Sequence, residues 1–246
     1  MSKYDLDLDY AILGIDISRN EIKEIIAEAG KIISENKENN ENIAAAYLKK
    51  AQCLRKLEYR SFSDMFHTTI NLELMGMIKS KRIKILLEKA LELFPDMPEA
   101  IMQMGLLINS GCFRDKITEA INFFNKAIKL KPDYAAAFNN RAMSFYKSAI
   151  YDYEYHLICE NYEKKYSENA KINLKNALTD LTEAIRLRPF DSLYQLNRGI
   201  VNSMLGEYNK AVENISNAIN YASDVLRKQL IKDTIDSYFT GEKNIR

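Results

Sequence analysis

Residues 177–189 read ALTDLTEAIRLRP, and the same pattern occurs at residues 120–132 (AINFFNKAIKLKP) and 211–219 (AVENISNAI). Each segment has an alanine, a large apolar residue four positions later and another alanine three positions after that. On an α-helix these positions share one face, where small side chains let a second helix approach closely. Pro132 and Pro189 fall where such helices must end. The pattern therefore predicts three similar helices.

A second pattern precedes each of these helices. Residues 138–145 (FNNRAMSF) and 195–202 (QLNRGIVN) match each other, and residues 101–108 (IMQMGLLI) are a less polar version. Each contains one small residue, Gly105, Ala142 or Gly199, at which we expect the two helices of a pair to cross. The repeating unit is therefore a helix pair.

These features resemble the tetratricopeptide repeat (TPR) family, whose units are helix–turn–helix pairs of 34 residues. The resemblance rests on Asn-Arg-Gly at 197–199, Leu-Gly-Glu-Tyr at 205–208 and the Ala-x6-Ala-Ile segments. It implies an all-α protein, a TPR-type α-solenoid of antiparallel helix pairs with a C-terminal capping helix.

The resemblance predicts a division of the chain into four parts. These are an N-terminal helical segment (1–40), degenerate TPR-like helices (41–97), three TPR units (98–223) and a capping helix with a tail (224–246). The three units are 98–134, 135–191 and 192–223. Pro132 and Pro189 are 57 residues apart, which gives the middle unit a 23-residue insertion. Because the insertion contains no proline or glycine, we expect it to lengthen both helices.

The first 97 residues carry weaker signals. Ser18 and Glu21 form a capping box before an isoleucine-rich helix that reaches about Glu35. Residues 9–15 with 21–23 resemble the start of a J-domain, but the His-Pro-Asp loop on which that family depends is absent. Leu72–Phe94 has a second-helix pattern with an expected first helix near Asp64–Met77, and Glu41–Leu57 predicts a further helix.

Composition favours a non-enzymatic protein in a reducing compartment. A net charge of +1 predicts neither a nucleic-acid nor a membrane partner. Three scattered cysteines and no long apolar run predict a cytoplasmic protein. No phosphate-binding loop, nucleophile motif or metal-ligand spacing is present, so we expect no enzyme activity, cofactor or metal site. The resemblance to TPR proteins implies that Asp180 pairs with an arginine, for which Arg141 is the candidate, instead of acting as an acid or base.

The resemblance implies that the first helix of each unit lines a groove. We expect this groove to bind a peptide or amphipathic helix of a protein partner, because asparagine can bond a peptide backbone and methionine adapts to irregular apolar side chains. The alternative is that several of these residues pack against the next unit or the capping helix. The candidate residues are Met102, Gln103, Leu106, Asn139, Asn140, Met143, Leu196, Asn197, Ile200 and Met204.

The insertion is rich in tyrosine and suggests a second surface. Its candidates are Tyr151, Tyr153, Tyr155 and Tyr162. Tyrosine suits an interface, but it equally suits the inside of a helical hairpin. The alternative function is a structural protein that self-assembles as a homo-oligomer, through its N-terminal helices or through this hairpin.

Overall fold

The structure is a computed structural model. It describes residues 19–35, 39–64, 72–109, 114–159, 167–222, 228–229 and 231–232. The main regular elements of this part of the chain are α-helices: α1 (Arg19–Glu35), α2 (Asn40–Asp64), α3 (Leu72–Leu93), α4 (Pro98–Asn109), α5 (Arg114–Leu130), α6 (Ala135–Cys159), α7 (Glu168–Leu187), α8 (Ser192–Met204) and α9 (Tyr208–Tyr221). None of these helices is long and apolar enough to cross a membrane.

The chain divides into two compact units. The first contains residues 1–111 and 122–131, and the second contains residues 112–121 and 132–246. Helix α5 contributes residues to both units.

The core of the first unit is built on the α2–α3 pair. Both helices present the same spacing of buried apolar residues: Ala44, Leu48 and Ala51 on α2, and Ile83, Leu87 and Ala90 on α3. The first helix expected near Asp64–Met77 is therefore wrong, since α2 reaches Asp64 and α3 begins at Leu72. The partner of α3 is α2, in which the helix predicted for Glu41–Leu57 is confirmed.

Helix α1 packs against α2 through its isoleucine face. It ends at Glu35 as predicted, and Ile22 and Ala29 are buried. Ile22 packs with the buried Cys53 of α2. The J-domain-like start at residues 9–15 and the capping residue Ser18 lie outside the described residues.

The insertion predicted for the middle TPR unit lies in the α6–α7 pair of the second compact unit. Helices α6 and α7 have 25 and 20 residues, whereas α8 and α9 have 13 and 14. The prediction that the insertion lengthens both helices of the pair is confirmed. The two helices pack through fully buried residues, namely Ala142 and Ala149 on α6 with Ala170, Leu174, Ala177 and Leu181 on α7.

The α8–α9 pair ends the described repeats. Gly206 makes the turn between these helices with φ +79°, a conformation that glycine adopts without the strain of a Cβ atom. Most of the capping helix expected at 224–246 lies outside the described residues. Ile231 is nevertheless buried in a cluster with Leu196 and Ile200 of α8 and Ala218 of α9.

The close approach of α8 and α9 predicts that alanine substitutions at two glycines have opposite effects on stability. A Cβ atom on Gly199 would lie 2.9 Å from Cγ1 of Ile215 and 3.2 Å from the carbonyl oxygen of Ala211. Gly199→Ala should therefore lower the free energy of unfolding by about 1–3 kcal/mol. At Gly30 the same substitution should raise it by about 0.5–1 kcal/mol, because a Cβ there meets only Lys50 Nζ at 3.8 Å. Urea unfolding of both variants measures the difference, and equal effects would contradict the tight packing at Gly199.

Candidate functional site

The ten groove candidates differ in their exposure. The buried ones are Met102, Gln103, Asn139, Leu196, Asn197 and Ile200, and the half-buried ones are Leu106, Asn140, Met143 and Met204. Met102, Gln103 and Leu106 belong to α4 of the first unit, whereas the others belong to α6 and α8 of the second.

The asparagines of α6 and α8 bond to their own unit. Asn197 Nδ2 donates to Asn139 Oδ1 at 2.8 Å, and both residues are buried. Asn140 Nδ2 donates to the carbonyl oxygen of Ala136 at 2.8 Å. The Asn139–Asn197 bond joins α6 to α8 and satisfies two buried amides, whereas the Asn140 bond stays within α6.

Three apolar candidates of α8 pack in or against the core. Leu196 and Ile200 pack in the cluster that contains Ile231, and Met204 packs against the cluster between α6 and α7. Met143 on α6 and Leu193 on α8 are half-buried and belong to neither of these clusters. Both side chains are therefore partly accessible to solvent.

Of the four tyrosine candidates in the insertion, the structure describes the side chain of Tyr151 alone. Tyr151 is half-buried on α6, whereas the side chains of Tyr153 and Tyr155, and Tyr162 itself, lie outside the described part of the structure. Beside Tyr151, the hydroxyl of Ser167 donates to a carboxylate oxygen of the buried Asp152. Ser167 Oγ also accepts from the amide of Ala170, so one serine caps α7 and ties it to α6.

The predicted pair between Arg141 and Asp180 is confirmed. Arg141 Nη2 and Nε donate to the two carboxylate oxygens of Asp180 at 2.6 and 2.8 Å. Their side chains are 21% and 6% exposed, respectively. An open cleft lies beside this pair, lined also by Phe138, Leu178 and Glu183. The carboxylate neutralises the guanidinium and holds α6 against α7.

The corresponding position on the α8–α9 pair has a different partner. Arg198 Nε donates to the neutral amide oxygen of Asn214 at 3.2 Å. The same oxygen accepts from Asn202 Nδ2 at 2.9 Å, and Asn214 Nδ2 donates to Gln195 Oε1 at 3.0 Å. Burial lowers the pKa of the Arg198 guanidinium from its usual value, and the charge of Glu213 opposes that change. We call these four residues, Gln195, Arg198, Asn202 and Asn214, the Asn214 cluster.

Sequence reasoning missed the Asn214 cluster, although its signal was present. The two repeat segments place Asp180 and Asn214 at the same position, and the two preceding helices place Arg141 and Arg198 at the same position. Within the described residues there is no group of three His, Cys, Asp or Glu side chains that could hold a metal ion.

The bidentate geometry of Arg141 and Asp180 predicts a measurable coupling. In a double-mutant cycle with Arg141→Gln and Asp180→Asn, we expect a coupling of about 2 kcal/mol, because the pair is mostly buried. The matched control is the exposed Arg186–Glu183 pair on α7, where the shortest N–O distance is also 2.6 Å. Water screens that pair, so its cycle should show no resolvable coupling. Equal coupling for both pairs in urea unfolding would contradict this expectation.

Comparisons with known proteins agree on the fold. No protein-family model matches this sequence, and no curated protein matches it. Among solved structures, MamA from Desulfovibrio magneticus RS-1 is 13% identical, with a TM-score of 0.51 over 90% of this chain and 96% of that one. A second MamA crystal structure has a TM-score of 0.50 at 14% identity, covering 84% of this chain and 91% of that one.

A third similar structure is a monomeric mutant of IFIT1 with m7Gppp-AAAA. It is 13% identical, with a TM-score of 0.59 over 98% of this chain and 56% of that one. MamA and IFIT1 are TPR proteins, and at these identities the likeness concerns the fold. With the repeated helix pairs of its own sequence, this chain has the tetratricopeptide repeat fold.

Proposed function

We propose that this chain is a non-catalytic protein-interaction module, which binds a peptide or amphipathic helix of a partner protein. The binding surface is the face of α6 and α8 that carries Met143 and Leu193. We call it the Met143 face.

One observation carries the proposal, namely that Met143 and Leu193 are apolar and half-buried on α6 and α8, two helices joined by the buried Asn139–Asn197 hydrogen bond. The apolar groove candidates of α8, Leu196, Ile200 and Met204, pack in or against the core, and the side chains of Asn139 and Asn197 bond to each other. Methionine adapts to side chains of different shape, and leucine adds apolar area that a partner can cover. The Asn139–Asn197 hydrogen bond fixes α6 against α8, and helices that are already in place lower the entropic cost of association.

The bonds made by the charged residues favour a role without catalysis. Arg141 and Asp180 satisfy each other, and the carboxylate of Asp152 accepts from Ser167. A general acid or base needs a carboxyl group that is available to a substrate.

The second candidate function is self-assembly through the lengthened α6–α7 hairpin. The observation that favours it is Ile172, which is 53% exposed near the start of α7. Self-assembly would make the mass in sedimentation equilibrium rise with concentration, and Ile172→Glu would restore the monomer mass of 28.4 kDa. A concentration-independent monomer would contradict this second candidate.

The proposed face can be tested with one double variant and a matched control. Met143→Glu with Leu193→Glu places two charges where a partner would cover apolar surface, which should weaken binding about thirtyfold or more. The control is Tyr208→Glu with Val212→Glu on α9, where both side chains are about two-thirds exposed. The measurement is a pull-down from cell lysate with quantified mass spectrometry.

We expect one protein to be enriched by the wild type and by the control variant but not by the Met143–Leu193 variant. Thermal unfolding followed by circular dichroism must show that both variants fold. Equal enrichment by all three chains would place the partner elsewhere and contradict the proposed face.

A further inference from the structure

The two arginine positions of the second unit differ in one respect. Arg141 donates through Nε and Nη2 to the carboxylate of Asp180, whereas Arg198 donates through Nε alone to a neutral amide. The two terminal nitrogens of Arg198 make no hydrogen bond or ion pair with any residue that the structure describes. Arg198 is half-buried, so its charge is only partly solvated.

The Asn214 cluster cannot supply the missing negative charge. The amide oxygen of Asn214 already accepts two hydrogen bonds, and its nitrogen donates to Gln195. Glu213 is near enough to affect the pKa of Arg198 but forms no ion pair with it. A guanidinium binds most strongly when two of its nitrogens donate to one carboxylate in a plane.

We infer that Arg198 is an open binding site for a carboxylate that a second molecule supplies. The bound carboxylate accepts from the two terminal nitrogens of Arg198, because Asn214 already occupies the position at α8–α9 that Asp180 occupies at α6–α7. Arg198 is half-buried and not fully enclosed, so part of its side chain is reached from solvent. A polypeptide presents such a carboxylate on an aspartate, on a glutamate or at its C-terminus.

This site is separate from the Met143 face. Arg198 bonds to α9, as does Gln195 through Asn214, and Gly199 lies against the same helix. At 100° per residue, Leu193 lies about 140° around α8 from Arg198. The inference therefore stands or falls independently of the proposed function.

The experiment follows the Nε–H signals of the arginines in ¹⁵N-edited NMR spectra of the full chain. The probes are sodium acetate and a blocked Gly-Asp-Gly tripeptide, with acetamide and a blocked Gly-Asn-Gly tripeptide as neutral controls at the same ionic strength. Arg198→Gln assigns the Arg198 signal by removing it. Arg141, already paired, is the control within the same molecule.

We expect both carboxylate probes to shift the Arg198 signal to saturation and to leave the Arg141 signal unchanged, while the neutral probes shift neither. Asn214→Asp should weaken acetate binding at Arg198 about tenfold or more, because an internal carboxylate then occupies the guanidinium. Asp180→Asn should open Arg141 to acetate in the same way. This second variant tests the inference even if Asn214→Asp fails to fold.

The relative affinity of the two carboxylate probes identifies the source of the carboxylate. Tighter binding of the aspartyl tripeptide supports a carboxylate carried by a polypeptide, and equal binding supports a free small carboxylate. A linear, unsaturated shift at Arg198, or an Arg141 signal in Asp180→Asn that ignores acetate, would overturn the inference.

Discussion

The fold depends on the close contact between a small residue on the first helix of a pair and a large residue on the second. A Cβ atom on Gly105 would lie 2.7 Å from the ring of the fully buried Phe124, and one on Gly199 would lie 2.9 Å from Ile215. Only a residue without a Cβ fits these positions unless the neighbour moves. In the α6–α7 pair the corresponding residue is Ala142, whose methyl group is fully buried against α7.

This spacing brings polar residues of the two helices into reach of each other. Arg141 and Arg198 each precede the small residue at the helix crossing, and each bonds to the second helix of its pair. The repeat therefore places an arginine at the same position in both helix pairs, but each arginine has a different partner. A carboxylate on α7 neutralises the first arginine, whereas an amide on α9 leaves the second one open to a ligand.

Much of the fold could be predicted from the sequence, because the helix pairs repeat and each pair depends on residues close in the chain. The predicted partner of α3 was wrong because the first 97 residues lack the Asn-Arg and Leu-Gly-Glu-Tyr features. The buried residues around Leu48 on α2 and Leu87 on α3 have the same spacing, but only the structure shows that these two helices pair. The burial of the groove candidates could not be predicted from one segment. Asn139 and Asn197 bond across 58 residues, and Ile231 covers Ile200 from beyond the last repeat.

The most direct test of the central constraint is a double-mutant cycle between Gly105 and Phe124, measured by urea unfolding. Gly105→Ala alone should destabilise the chain, because the new methyl group meets three atoms of the Phe124 ring within 3.0 Å. In a Phe124→Leu background the ring is gone, so the same substitution should cost at least about 1 kcal/mol less. Additive effects of the two substitutions would show that the helices of this pair do not depend on the contact, and would contradict the account.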